Sequence, residues 1–218
     1  MGRISSKIAE LHAALPAGVR LVAVSKFHPA ETVREAYDAG QRLFGESRAD
    51  ELVAKAAALP ADIEWHFIGH LQTNKVRRVV GCASVIESID SERLLKAVSD
   101  EAVRAGREVG VLLQVHVAAE ETKTGFAPGE LVAAGRYAAT LPGIEVRGVM
   151  GMATNTTDAS RVAADFDAIA AVGAQLRVFV PSATEVSMGM SGDWPLAVER
   201  GATLVRIGTD IFGEREKY

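Results

Sequence analysis

Short apolar runs alternate with segments of helical periodicity along most of the chain. The runs are rich in Val, Ile and Leu, which is typical of strands buried on both faces. They fall at about 20–26, 41–45, 64–68, 83–89, 109–117, 144–150, 183–188 and 203–208. Helical periods, in which apolar residues recur every three or four positions, lie between them at about 29–39, 47–58, 71–80, 91–106, 128–140, 158–175 and 192–200.

This repetition of strand and helix predicts an α/β fold with a parallel sheet, because helical crossovers join parallel strands. Eight such units close most simply into a (β/α)8 barrel of the TIM type. An open doubly wound sheet is the alternative. An amphipathic helix at about 3–15 precedes the first strand, and we expect residues 1–18 to pack on the barrel as an extra N-terminal helix. No linker or composition break interrupts 1–218, which we treat as a single domain.

The composition excludes several classes of partner. The formal net charge is −4 and the chain has no basic block, so we expect no nucleic-acid binding. No apolar segment is long enough to span a bilayer, and we expect no membrane association. The single cysteine, Cys82, cannot form an internal disulfide, which favours a reducing compartment. We therefore expect a cytoplasmic protein, and a monomer.

Lys26 ends the first apolar run, LVAVSK, where barrels of this type place their chemistry. Alternation along a strand puts its side chain on the same face as Val22 and Val24. Burial lowers the pKa of an amine, and the neutral amine is a nucleophile toward carbonyls, as a Schiff base requires. An ion pair with a carboxylate, such as Glu46 at the end of the second run, explains this stretch equally well.

The other end of the chain contains features of an anion site. The stretch TLVRIGTDIFG, 203–213, predicts a strand that turns into a short helix. Gly208 lets the backbone approach a ligand, and the amides around Thr209 are the unpaired donors of a helix start. The loop after the seventh run, SMGMSGD, adds the hydroxyls of Ser187 and Ser191. Barrels that bind phosphate commonly use the loops after strands seven and eight.

In a closed barrel the first and last strands are neighbours, so the amine and the anion site would share one mouth. A ligand with both an aldehyde and a phosphate fits this layout. Pyridoxal 5′-phosphate is the first candidate, and a phosphosugar carbonyl is the second. Arg206 lies on the same strand face as Gly208. Beside a pyridine nitrogen, its guanidinium would favour the unprotonated ring, because it cannot accept a proton. An ion pair with an acidic residue of the barrel is the alternative for Arg206.

Seven motifs occur in an order that resembles the pyridoxal phosphate homeostasis proteins. They span about 19–213 and read AVSKFHP, LFGESRADEL, WHFIGHLQTNK, EETKTGF, GVMGMAT, VSMGMSGDWPLAV and GATLVRIGTDIFG. The resemblance implies a barrel like the N-terminal half of alanine racemase, with pyridoxal phosphate bound to Lys26 as an internal aldimine. It also implies that the phosphate is held at Ser187, Gly208 and Thr209, and that Arg206 lies beside the pyridine nitrogen.

The chain departs from the family pattern at two positions. Ser47 and His116 stand where we expect asparagines, so Ser47 offers a shorter and less versatile contact to the cofactor. Met190, in the second of two MGM sequences, is a candidate to pack beside the ring. In HFIGH, His66 is a candidate to line the mouth. The segment reads as a strand and a turn, so its two histidines do not predict a metal site.

The resemblance implies a protein that holds pyridoxal phosphate for intracellular vitamin B6 homeostasis and releases it to the apo forms of cofactor-dependent enzymes. The alternative is a fold-type III pyridoxal phosphate enzyme, such as an amino-acid racemase with weak activity. A racemase needs a second base, and we expect no second domain in this chain to supply one. A Schiff-base aldolase acting on a phosphosugar is a third interpretation. Lys123, in EETKTGF, is expected to form a surface ion pair with a neighbouring glutamate.

Overall fold

The computed structural model describes residues 2–120 and 124–214. Within these ranges, eight parallel strands form a closed barrel in the order of the sequence. This confirms the TIM-type barrel and excludes the open doubly wound sheet. The strands are β1 (Arg20–Val24), β2 (Leu43–Glu46), β3 (Glu64–Phe67), β4 (Val85–Ile89), β5 (Val109–Val115), β6 (Ile144–Gly151), β7 (Glu185–Ser187) and β8 (Leu204–Ile207).

The helices occupy the segments where the periodicity predicts them, and several of their ends differ. They are α1 (Arg3–Ala14), α2 (Ala30–Asp38), α3 (Ala49–Ala58), α4 (Val76–Val80), α5 (Glu92–Arg104), α6 (Pro128–Ala138), α7 (Ala159–Phe179), α8 (Trp194–Glu199) and α9 (Thr209–Phe212). A 3₁₀ turn at Thr73–Lys75 leads into α4. Caps explain some of the starts: the Ser91 hydroxyl accepts from the Leu94 amide at 3.3 Å, and Pro128 opens α6.

The pairing of β1 with β8 closes the barrel. The two strands run parallel, with Val22 opposite Arg206 and Ala23 opposite Ile207. Gly208, immediately after β8, allows this approach, because a Cβ there would lie 3.0 Å from the Val24 carbonyl oxygen. The first and last strands therefore end side by side at one mouth.

Two apolar layers stabilise the fold. One lies in the barrel interior and is formed by Val22, Leu43, Val85, Leu112, Met150 and Leu204. The other, much larger layer lies between the sheet and the surrounding helices. The N-terminal helix α1 joins this outer layer through Ile4, Ile8 and Leu11 and packs against α2 and α9. No described helix combines the length and apolarity needed to cross a bilayer.

The end of β1 differs from the sequence expectation in one respect. The strand ends at Val24, so Lys26 lies in the following turn rather than on the last strand position. In that turn Phe27 has φ of 68°, and it is the only non-glycine residue of the described ranges with positive φ. The left-handed region costs an ordinary residue about 1–2 kcal/mol. The turn that carries Lys26 is therefore held under strain.

We expect truncation of the inner layer to destabilise the protein strongly. Leu112 is fully buried in the barrel interior, so Leu112→Ala should lower the free energy of unfolding by about 2–5 kcal/mol in urea titrations. Val178 on α7 is 75% exposed, and Val178→Ala should change that free energy by less than about 0.5 kcal/mol. Equal effects of the two substitutions would contradict the assignment of the inner layer.

Candidate functional site

A cavity of about 250 Å³ opens at the mouth formed by the C-terminal ends of the strands. Its size suits one small ligand, being just below the range usual for drug-sized molecules. Six of the eight residues that the sequence nominates line this cavity: Lys26, Ser47, Met190, Arg206, Gly208 and Thr209. The structure thus brings together residues from both ends of the chain.

Lys26 and Val24 lie on the β1 side of the cavity. Val22, on the same face of the strand, belongs to the inner layer, which confirms the predicted alternation. Glu46, the suggested ion-pair partner of Lys26, is instead bound by Lys55, with Lys55 Nζ 2.6 Å from Glu46 Oε1. Glu46 lies behind the strand because Ser25, which points away from the cavity, donates to the same oxygen at 2.7 Å.

The β8 side of the cavity is formed by backbone and hydroxyl groups. Gly208 and Thr209 line it, together with Ser191 and Gly192 from the loop after β7. Gly208 precedes α9, which is only four residues long. Amide groups at a helix start and nearby hydroxyls are suited to an anion such as phosphate.

An apolar wall connects the two sides. It consists of Ile68, after β3, and of Met150, Met152 and Met190 from the two MGM sequences. Met190 is 42% exposed, so it lies at the open edge of the cavity. Thioether side chains adapt to irregular shapes and pack favourably against aromatic rings. The wall is therefore suited to a flat ring.

Arg206 forms the charged floor of the cavity. Its guanidinium is buried and donates from Nη1 to the Ser187 hydroxyl at 2.6 Å and from Nη2 to the Gly151 carbonyl at 2.9 Å. Nη1 also lies 3.7 Å from Glu87 Oε2. Arg206 thus lines the cavity and also pairs with an acid of the barrel, and its position beside a pyridine nitrogen stays a prediction.

A chain of hydrogen bonds runs from Arg206 through the barrel interior. The Ser187 hydroxyl donates to Glu87 Oε2 at 2.5 Å, and the other oxygen of Glu87 lies 2.6 Å from His66 Nδ1. His66 Nε2 lies 3.3 Å from Glu64 Oε1, and Arg20 donates to Glu64 at the opposite end of the barrel. Charged groups therefore continue from the cavity floor to the opposite rim.

The charges along this chain alternate in sign. Burial raises the pKa of Glu87, but the combined effects of His66, Arg206 and Ser187 are larger, so the net pKa lies below its ordinary value. Burial lowers the pKa of His66, but Glu64 and Glu87 together raise it above its ordinary value. The bond from His66 lowers the pKa of Glu64 to about 2. Burial lowers the pKa of Arg206, and Glu87 partly offsets this effect. Each buried charge thus has an oppositely charged neighbour.

Two nominated residues lie beneath the cavity rather than on its wall. Ser187 is bound between Arg206 and Glu87, and His66 is buried between Glu87 and Glu64. Both side chains face the barrel interior, below the layer of residues that lines the cavity. Their predicted contacts with a phosphate or with the mouth stay predictions, and the structure shows them supporting Arg206.

The remaining sequence candidates lie apart from the cavity. His70, four positions after His66, is exposed and lies 3.2 Å from Asp90, so the two histidines do not converge. Within the described residues, no group of three or more His, Cys, Asp or Glu side chains is placed to bind a metal. His116 Nε2 lies 3.0 Å from the Glu120 carbonyl oxygen. Lys123 lies outside the described residues.

Sequence reasoning missed His28, which also lines the cavity. Its ring packs against Phe212 of α9, with the ring centroids 5.1 Å apart. The sequence could have indicated that His28 lies near the cavity, because closure of β1 onto β8 also brings the residues after β1 against those after β8. Side-chain direction in a loop has no period, however, so alternation could not show that His28 points inward.

The residues present fit a small aromatic aldehyde that carries a phosphate. The cavity has an amine on one side, glycine backbone and hydroxyls on the adjacent side, an apolar wall and a guanidinium floor. The amine can form an imine with an aldehyde, while the glycine turn and hydroxyls can hold the anionic group. This arrangement does not require a metal.

Comparisons with known proteins agree with this geometry. The family model for the alanine racemase N-terminal domain matches residues 1–216. The pyridoxal phosphate homeostasis protein of Vibrio cholerae is 39% identical over 203 residues, covering 91% of this chain and 86% of the relative. The human protein of the same name is 38% identical over 229 residues, covering 98% of this chain and 83% of its own length.

Two solved structures show the same fold at different levels of similarity. PipY of Synechococcus elongatus, with PLP bound, has a TM-score of 0.89 and 41% identity, covering 96% of this chain and 100% of PipY. Alanine racemase of Clostridium difficile has a TM-score of 0.81 at 13% identity, covering 99% of this chain and 57% of the racemase. The latter likeness shows the fold alone.

The fold and cavity together define a barrel of the alanine racemase N-terminal domain class. Within that class, the chain belongs to the family of pyridoxal phosphate homeostasis proteins. The motif resemblance found in the sequence is thereby confirmed.

The depressed pKa of Glu64 predicts a specific acid sensitivity. Its folded value of about 2 lies below the ordinary 4.5, so Glu64 stabilises the fold above about pH 4.5, and this contribution is lost as the pH falls toward 2. We expect wild type to exceed Glu64→Gln in unfolding free energy by a nearly constant amount at about pH 5–6, and the difference to shrink below about pH 5. Urea titrations across this range measure the difference.

Two features make this measurement specific. His66 stays protonated throughout the window, because its pKa is raised from 6.5. Glu10→Gln is the control, since Glu10 is exposed on α1 and its surface pair with Lys7 adds little to stability. A difference for Glu64→Gln that persists unchanged to pH 2 would contradict the proposed charge state of the buried chain.

Proposed function

We propose that this protein binds pyridoxal 5′-phosphate in the cytoplasm and serves intracellular vitamin B6 homeostasis. The single observation that carries the proposal is the cavity in which Lys26 and the glycine turn at Gly208 occupy adjacent walls. Family membership supports it, as does the structure of PipY with PLP bound, which covers 96% of this chain.

The aldehyde of the cofactor supplies an electrophilic carbon, and Lys26 supplies the nucleophile. The neutral Lys26 amine adds to that carbon, and elimination of one water leaves a carbon–nitrogen double bond, so the atoms balance. Val24 and Met150 line the same cavity as Lys26, so the amine shares its space with apolar side chains. Through the carbon–nitrogen bond, Lys26 holds the reactive aldehyde and keeps it from other amines.

The β8 side would hold the phosphate. Gly208 and Thr209 present backbone amides at the start of α9, and Ser191 adds a hydroxyl on the same side of the cavity. The resemblance also assigns Ser187, which would contribute from below. Arg206 would lie beside the pyridine nitrogen, where its guanidinium favours the unprotonated ring. An unprotonated ring withdraws electrons weakly, which suits storage better than catalysis.

The open mouth suits release of the cofactor to a recipient. Among the described residues, Met190 at the cavity edge is 42% exposed and Phe27, beside Lys26, is 47% exposed, so both positions are open to solvent. An incoming amine can displace Lys26 by transimination, in which one imine replaces another without a net change in oxidation. We propose apo forms of pyridoxal phosphate enzymes as recipients and a monomer as the carrier.

A weak racemase is the second candidate, and His28 is the observation that favours it. His28 lines the cavity together with Lys26 and would be the second proton-carrying group that racemisation requires. His28 and Lys26 are, however, two positions apart on the same side of the mouth. A two-base racemase needs its bases on opposite faces of the substrate, so binding and release remain the better-supported function.

The absorption spectrum tests the proposal directly. Wild-type protein mixed with pyridoxal phosphate should develop the visible band of a Schiff base, because the protonated imine, conjugated with the ring, absorbs at longer wavelength than the aldehyde. Lys26→Ala should lose that band, whereas Lys96→Ala should retain it. Lys96 is a suitable control because it is exposed on α5 and bound to Asp100.

Two results would count against the binding proposal. One is a band of equal intensity in Lys26→Ala, which would place the imine on another lysine. The other is rapid, Lys26-dependent exchange of the α-hydrogen of amino acids in deuterium oxide. That exchange would indicate catalysis and favour the racemase.

A further inference from the structure

One charged cluster binds the peptide groups on both sides of Lys26. Lys55 Nζ donates to the Ser25 carbonyl, which precedes Lys26, at 2.8 Å. The Phe27 amide, which follows Lys26, donates to Glu51 Oε2 at 2.7 Å. Lys55 joins the two contacts, because it lies 2.6 Å from Glu46 Oε1 and 3.4 Å from Glu51 Oε2. Both peptide planes that flank the Lys26 Cα are thus fixed from outside the turn.

The cluster is set up by one short stretch of sequence, LFGESRADELVAK. Glu46 ends β2, while Glu51 and Lys55 are spaced four apart on α3, which puts them on one helix face. The parallel pairing of β1 with β2 places that face behind the Lys26 turn. The segment that follows the second strand therefore controls the loop that follows the first.

The burial of this cluster is difficult to explain by stability alone. The side chains of Lys55 and Glu46 are 6% and 0% exposed. Burial raises the pKa of Glu46, and Lys55 offsets only part of this shift. Removing two charges from water is costly, and apolar residues of similar volume are often as stable or more stable. A buried pair at this position is consistent with a positioning role.

The strain in the turn indicates the same role. Phe27 is 47% exposed and holds φ of 68°, a conformation that non-glycine residues rarely adopt. The Glu51 carboxylate is the group that binds its amide. Strained backbone persists where its surroundings over-determine it, and such residues concentrate at functional sites.

We propose that Glu46, Glu51 and Lys55 are positioning residues that aim Lys26 at the aldehyde. The inference rests on the proposed function, because it assigns a purpose to the Lys26 amine. The cluster fixes the carbonyl before Lys26 and the amide after it, which sets the direction of its Cα–Cβ bond. Imine formation then starts from a preorganised amine rather than from a mobile loop.

Substitutions at Glu51 separate positioning from general structure. Glu51→Leu removes the acceptor for the Phe27 amide, whereas Glu51→Gln keeps a side-chain oxygen there. Glu51 is partly exposed, so both variants should fold. We expect Glu51→Leu to form the Schiff base ~10- to 100-fold more slowly than wild type, because a small misplacement of a reacting group has an effect of that order. Glu51→Gln should restore most of the rate.

A second readout measures binding without the imine. An analogue with an alcohol in place of the aldehyde keeps the ring and the phosphate, so its affinity reports on the rest of the cavity. We expect this affinity to be the same in wild type, Glu51→Leu and Glu51→Gln.

The double variant Lys55→Met with Glu46→Gln removes both members of the buried pair, so neither charge is left without its partner. This variant should also slow the rate of imine formation. Arg107→Met is the control, since Arg107 donates to the Val80 and Ala83 carbonyls away from the cavity.

The outcomes distinguish this inference from the proposed function. If wild type forms no Schiff base, the proposed function itself fails. If wild type forms it and Glu51→Leu matches the wild-type rate, only the positioning role is overturned. A slow Glu51→Leu that Gln does not rescue, or one that also loses affinity for the alcohol analogue, would show a merely structural effect and would likewise overturn the role.

Discussion

The parallel pairing of β1 with β8 is the contact on which the site depends. It places Val22 opposite Arg206 and brings the turn after β1 beside the turn after β8. Gly208 permits the approach because a Cβ there would press on the Val24 carbonyl oxygen. An amine from residue 26 and an anion-binding turn from residue 208 thus share one cavity, although they lie at opposite ends of the chain. Without this closure, neither turn alone would form a binding site for such a ligand.

Below the cavity, the barrel uses charge where such interiors are usually apolar. Arg206, Glu87, His66 and Glu64 alternate in sign from the floor of the cavity to the opposite rim. Removing one member would leave its neighbour buried without its opposite charge, which is strongly destabilising. A second charged cluster, around Lys55, binds the turn that carries Lys26. The two clusters support different sides of the cavity. The first holds Arg206 in its floor, and the second holds the turn that carries the Lys26 amine.

Much of this arrangement follows from periodicity. Alternation along β1 predicts that Val22 and Val24 share one face, and strand–helix repetition predicts that the last strand returns to the first. The inner charges escape such reasoning, because Ser187 and Glu87 lie 100 positions apart and meet only inside a closed barrel. The sequence also could not show that Glu46, which it left open as an alternative partner of Lys26, is bound by Lys55. The positions of two opposite charges in the sequence do not reveal which face of the sheet each side chain occupies. Glu46 lies on the face that Lys55 contacts.

Chemical trapping of the imine tests the central claim most directly, that barrel closure makes one site from Lys26 and the turn at Gly208. Borohydride adds hydride to the carbon–nitrogen double bond and converts it to a stable secondary amine. After protein loaded with pyridoxal phosphate is reduced and digested, peptide mass spectrometry should place the added group on Lys26. Excess inorganic phosphate during loading should decrease the label by competing at the β8 side. Label spread over surface lysines, with Lys26 unmodified or phosphate without effect, would contradict the account.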